Sequence, residues 1–113
     1  MDILLIDDNP QVRALIKSLI GDLVDHCHEC SDGAEAVAAY RQAQPDWVLM
    51  DFEMPHTNGL TATRQLRAAY PDARIIIVTQ YDDKKLREAA AAAGALSFVV
   101  KDDLLALREI ISP

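Results

Sequence analysis

Four short apolar runs, each stopped by a charged or hydroxyl residue, restrict this chain to very few folds. Ile3-Leu4-Leu5-Ile6 stops at Asp7-Asp8, Val48-Leu49-Met50 at Asp51, Ile75-Ile76-Ile77-Val78 at Thr79, and Phe98-Val99-Val100 at Lys101. Runs of this length without polar alternation read as strands buried on both faces. A fifth, more polar strand falls at Asp25–Cys30. Segments with three- and four-residue apolar spacing separate the strands, so strand and helix alternate along the chain. Short connections then require right-handed crossovers and a parallel sheet covered on both sides. For five strands the common flavodoxin-like solution is the order 2-1-3-4-5, which sets strands 1 and 3 side by side at the topological switch point. The polar stops of the strands converge at that end of the sheet.

The helices carry their own punctuation. Asn9-Pro10 offers a cap and a first helical residue, followed by Val12, Leu15, Ile16, Leu19 and Ile20 on one face and Gly21 as the stop. Ser31-Asp32-Gly33 is a turn that can cap a second helix, Ala34 to about Ala43, in which Ala36, Val37 and Tyr40 face inward. Asn58-Gly59 precedes a third helix with Leu60, Thr63, Leu66 and Arg67 at helical spacing. Lys84 to Ala93 is alanine-rich, with strong helix propensity and a Gly94 stop. A last helix carries Leu104, Leu105, Leu107, Ile110 and Ile111.

At 113 residues the chain makes one domain with a core of its own. A formal charge of −7 repels nucleic acid and anionic membrane, so any DNA contact would need a further module. The start lacks a basic region and a long apolar stretch, and no run reaches the length of a membrane span, so a cytoplasmic location is expected. Two cysteines are too few for a disulfide framework. His26, Cys27, His28 and Cys30 resemble metal ligands only as a list. On a strand Cys27 faces away from the other three, and zinc sites prefer turn-like spacing.

Asp51 is the first candidate for chemistry, since a carboxylate at the end of a buried strand is costly unless it lies at a pocket mouth. A single strand-end Asp is ordinarily a turn or a cap; convergence with Asp7 and Asp8 changes that reading. Three carboxylates together repel each other unless a cation neutralises them, and Mg²⁺ suits few carboxylates with room for water and a phosphate oxygen. A carboxylate can also attack phosphorus, with Lys101 and the Thr79 hydroxyl holding the phosphoryl oxygens.

With Asp7-Asp8, the Asp51-x-x-Met54-Pro55-x-x-x-Gly59 block, Val78-Thr79 and Gly94-Ala95-x-x-Phe98-x-x-Lys101 in this order, the chain resembles the receiver domain of bacterial two-component response regulators over residues 1–113. The resemblance implies a chemotaxis-regulator-like phosphoacceptor, not an enzyme with an external substrate. Asp51 would take a phosphoryl group from a phosphohistidine on a sensor histidine kinase or phosphotransfer protein. Asp8, Asp51 and the backbone carbonyl of Glu53 would hold Mg²⁺, with Asp7 acting partly through water. Thr79 and Phe98 would be the switch pair reporting to the face formed by the fourth helix, fifth strand and fifth helix, through which a homodimer could also form. Glu53, Gln80 and Tyr81 would flank the approach of water and tune how long the phosphoryl group survives. A DNA-binding output domain could follow in a longer protein.

The chain departs from the family pattern in three places, one of them a short last helix ending at Ser112-Pro113. Many receivers carry Lys-Pro where this chain has Lys101-Asp102, leaving the isomer of that bond open. The residue after the switch Thr is usually small, and here it is Gln80. Two other functions compete. An Asp-nucleophile phosphatase would use Glu53, two residues on, as general acid, but the chain shows no cap domain. A flavin-binding module of the same fold needs a hydroxyl- and glycine-rich phosphate loop after the first strand, where Asp7-Asp8-Asn9-Pro10 would repel the phosphate.

Overall fold

The computed structural model describes residues 1–113. Strands β1 (Asp2–Ile6), β2 (His26–Cys30), β3 (Trp47–Asp51), β4 (Ile75–Thr79) and β5 (Ser97–Val100) alternate with helices α1 (Pro10–Ile20), α2 (Ala36–Ala43), α3 (Gly59–Ala69), α4 (Lys84–Ala93) and α5 (Ala106–Ile111). All strand pairs are parallel and the order is β2-β1-β3-β4-β5, the flavodoxin-like arrangement expected.

Alternation along the strands divides the apolar residues between two cores. Ile3, Leu5, Leu49, Ile76 and Val78 pack against Ile16 and Ile20 of α1 and Leu107 and Ile111 of α5. Leu4, Ile6, Met50, Ile75 and Ile77 pack against Ala36 of α2, Ala62 and Leu66 of α3 and Ala90 of α4. The central strands β1, β3 and β4 are buried on both faces, which is why they read as unbroken apolar runs. Small alanines let α2, α3 and α4 approach the sheet closely.

Local chemistry sets most element ends where the sequence marks them. The side chains of Asn9, Asn58 and Asp83 each accept an N–H of the following first turn. Gly94 takes φ 108° and receives the end of α4 in the left-handed conformation. Gly21 behaves differently. Its φ is −58°, and the chain continues into a short 3-10 turn over Gly21–Leu23 before reaching β2. The second helix likewise begins as a 3-10 turn, Gly33–Glu35, and only Ala36 of the three expected inward residues is fully buried. Lys101–Asp103 forms a third such turn, so α5 starts at Ala106. The Lys101–Asp102 peptide is trans, as is every other peptide bond.

Candidate functional site

Register brings the acids together. Ile6 pairs with Met50, so the next residues of β1 and β3, Asp7 and Asp51, are neighbours beyond the last rung. Both continue the alternation of the residues facing α1 and α5, and both are buried. Val100 pairs with Thr79 on the other side, so Lys101 leaves β5 at the same level. Its Nζ donates to Asp51 Oδ1 at 3.0 Å and to Asp7 Oδ2 at 3.3 Å. Asp8, in contrast, is exposed at the rim.

Ligand atoms from Asp7, Asp8 and Asp51 all lie within 4.8 Å of one another. Three carboxylates thus face a single ammonium. Burial, followed by the charge of Asp7, pushes the Asp51 carboxyl up to about 6, while Lys101 pulls the other way. For Lys101, burial works against the charge, but Asp51 and Asp7 outweigh it and hold the ammonium above its ordinary value. The cluster is short of positive charge, and an all-oxygen set beside an open pocket fits a hard divalent cation.

That pocket has a volume of about 420 Å³ and is lined by Asp8, Asn9, Asp51, Glu53, Met54, Pro55, Thr79, Gln80, Tyr81 and Lys101. Eight of the ten are neither aliphatic nor thioether side chains, so it suits a small polar group rather than an apolar ligand. The Thr79 hydroxyl oxygen accepts the Tyr81 N–H at 3.2 Å, which orients the start of the β4–α4 loop.

Residues 3–112 match the family model for the response regulator receiver domain. The chain belongs to that family. Among its relatives, chemotaxis protein CheY of Bacillus subtilis (strain 168) is 35% identical over 100 residues, covering 88% of this chain and 83% of that protein. Transcriptional activator protein ExaE of Pseudomonas putida is 33% identical over 103 residues, covering 89% of this chain and 48% of that protein. The chain spans about half the length of the transcriptional regulators it matches. Among solved structures, a LuxR-family two-component response regulator from Aurantimonas sp. SI85-9A1 superposes with a TM-score of 0.90 at 35% identity, covering 97% of this chain and 81% of that one. The phosphatase and flavin readings give way to membership in the receiver family.

Within this receiver, the pocket gathers seven of the nine residues singled out from the sequence: Asp8, Asp51, Glu53, Thr79, Gln80, Tyr81 and Lys101. Asp7 is the eighth, buried behind Lys101. Phe98 lies apart from the pocket, half-buried on β5, with the Arg87 guanidinium 4.6 Å over its ring. Arg87 is itself held by Asp82, which accepts from Nε at 3.2 Å and Nη2 at 3.1 Å. Cys27 and Cys30 enter different cores on opposite faces of β2, and burial pushes the Cys30 thiol up to about 11.

Three residues about the site make contacts that the sequence did not reveal. A Cβ on Gly59 would lie 2.2 Å from the Asp51 carbonyl oxygen, so α3 starts hard against the end of β3. Arg13 of α1 donates to the Asp7 carbonyl from below. Asp32 ties the β2–α2 turn to the β3–α3 loop through three backbone N–H groups. Only its cap role was legible, because the loop partners lie more than twenty residues away.

Proposed function

We propose that this receiver takes a phosphoryl group onto Asp51 from a phosphohistidine of a sensor kinase or phosphotransfer protein. The observation that carries this reading is a buried, end-of-strand carboxylate at a polar pocket, with Lys101 Nζ 3.0 Å away and two further acids alongside. A carboxylate oxygen of Asp51 attacks phosphorus as the phosphorus–nitrogen bond breaks, and the imidazole leaves with the bonding pair. Lys101 and the Thr79 hydroxyl receive phosphoryl oxygens as charge moves onto Asp51. For Lys101 this exchanges a carboxylate partner for a phosphoryl oxygen. Asp8, Asp51 and the Glu53 carbonyl would hold Mg²⁺, with Asp7 behind them. The cation supplies the positive charge that three carboxylates and a phosphoryl group lack.

Thr79 and Phe98 form the switch pair in this reading, with α4, β5 and α5 as the responding face and the surface for a homodimer. Residues 1–113 act as one receiver unit whose only chemistry is its own phosphorylation and dephosphorylation, in the cytoplasm. A DNA-binding output beyond it accords with the length of the transcriptional relatives. No helix is long and apolar enough to cross a membrane.

Intact mass after incubation with Mg²⁺ and a small phosphodonor tests the reading. One added phosphoryl group, absent in Asp51→Asn, is expected. Continuous turnover of phosphoesters, or a gain that survives Asp51→Asn, would overturn it.

A further inference from the structure

The loop from Phe52 to Asn58 forms one wall of the pocket, yet its own backbone has few partners. Gly59 N–H donates to the Phe52 carbonyl at 2.8 Å and closes the loop at its base. Its far side is held by one side chain. Asp32, 5% exposed, accepts the His56 N–H on Oδ2 at 2.9 Å and the Thr57 N–H on Oδ1 at 3.2 Å. Oδ1 also accepts the Ala34 N–H at 2.9 Å, which is the ordinary work of a helix cap. Capping needs one oxygen, and here the second oxygen serves the loop alone. Gly33 reinforces the junction, since a Cβ there would lie 2.8 Å from the Thr57 carbonyl oxygen.

We propose that Asp32 is a positioning residue for the phosphoacceptor site. It fixes the β3–α3 loop so that the Glu53 carbonyl and the Met54-Pro55 wall face Asp51, without itself touching the pocket. This rests on the proposed reading of the site, in which the Glu53 carbonyl is a cation ligand. A charged acceptor is suited to the task because two loop N–H groups and a turn N–H converge on it, and a carboxylate has the lone pairs for all three.

Two variants separate this role from capping. Asp32→Ser keeps a good cap but is too short to reach the loop. Asp32→Asn keeps the shape while turning an amide N–H₂ against one of the backbone donors. Mg²⁺ titration by calorimetry should show affinity about tenfold weaker in both, the scale seen when the groups that orient metal ligands are removed. Phosphorylation of Asp51 by a small phosphodonor should slow by a similar factor at limiting Mg²⁺ and recover at saturating Mg²⁺. A residue that served only stability would not give that recovery.

Wild-type Mg²⁺ affinity and phosphorylation rate in both variants, with or without a fall in melting temperature, would overturn the proposal. Should Asp32→Ser fail to fold, Asp32→Asn carries the test alone. A wild-type protein that binds Mg²⁺ yet gains no phosphoryl group would refute the reading of the site while the affinity comparison still judges Asp32. A wild-type protein that binds no Mg²⁺ would overturn both.

Discussion

Asp51 sits where its own charge is unwelcome. With its carboxyl raised from 3.8 to about 6, the folded protein holds a proton there that the unfolded chain has already released. Below pH 4 both states are protonated and nothing is lost. As pH rises through 6 the folded state must accept the ionised group, and stability falls. In metal-free buffer at pH 7, Asp51→Asn should therefore stabilise the fold, on the order of 3 kcal/mol from a shift of about two units in which the attraction of Lys101 is already counted. Urea unfolding at pH 7 and pH 4 checks this: a gain at the higher pH that vanishes at the lower is expected. Tyr81, 43% exposed at the pocket rim, has the opposite kind of role. Its hydroxyl accepts Gln80 Nε2 at 3.0 Å, which draws that amide toward the ring and away from orienting a water. Tyr81→Ala should thus speed loss of the phosphoryl group, by less than about tenfold or roughly 1 kcal/mol in the barrier. A time course of intact mass in excess Mg²⁺ reads it.

Elements meet the site through main-chain contacts, and here sequence reading reaches its limit. The Asn9 cap, the start of the third helix at Asn58-Gly59 and the Gly94 stop were legible because each acts on residues one to four positions away. The convergence of Asp7, Asp8, Asp51 and Lys101 was legible too, since parallel topology fixes which strand ends are neighbours. Ties across long intervals, such as Asp32 to the β3–α3 loop or Arg87 over Phe98, were hidden because no local rule links their partners. The 3-10 turns before α2 and α5 were hidden for another reason: their hydrogen-bond pattern differs from the helix by one residue and leaves little trace in composition. Gly59 shows what a main-chain contact costs when filled. With a Cβ projected 2.2 Å from the Asp51 carbonyl oxygen, Gly59→Ala should force α3 away from β3 and cost about 2 kcal/mol or more. Chemical denaturation measures the loss, and phosphorylation should fall with it because the displaced atom belongs to Asp51.

Across the whole molecule, α5 is the least anchored helix by length, with six residues. Arg108 compensates by reaching the end of α1 and the turn after it, where Nη1 donates to the Leu19 carbonyl at 2.8 Å and the guanidinium pairs with Asp22. The Asp22 pair is exposed to solvent and screened by salt, so the carbonyl bond is the more durable half. Arg108→Ala should leave β1, β3 and β4 protected in hydrogen exchange while amides of α5 exchange faster. Unchanged exchange in α5 would mean that the helix docks through Leu107 and Ile111 alone. An open sheet also has two margins, and these decide how copies of the molecule can meet. Along β2 the exposed His26, His28 and Glu29 line one margin, with Glu29 held by Arg13 and Lys17. β5, at the other margin, is only four residues long. Neither margin offers the long, flat, apolar template on which a further strand would grow. Any contact between copies would therefore be left to side chains on the helices, which are readily made and released, whereas strand-to-strand accretion would be hard to reverse.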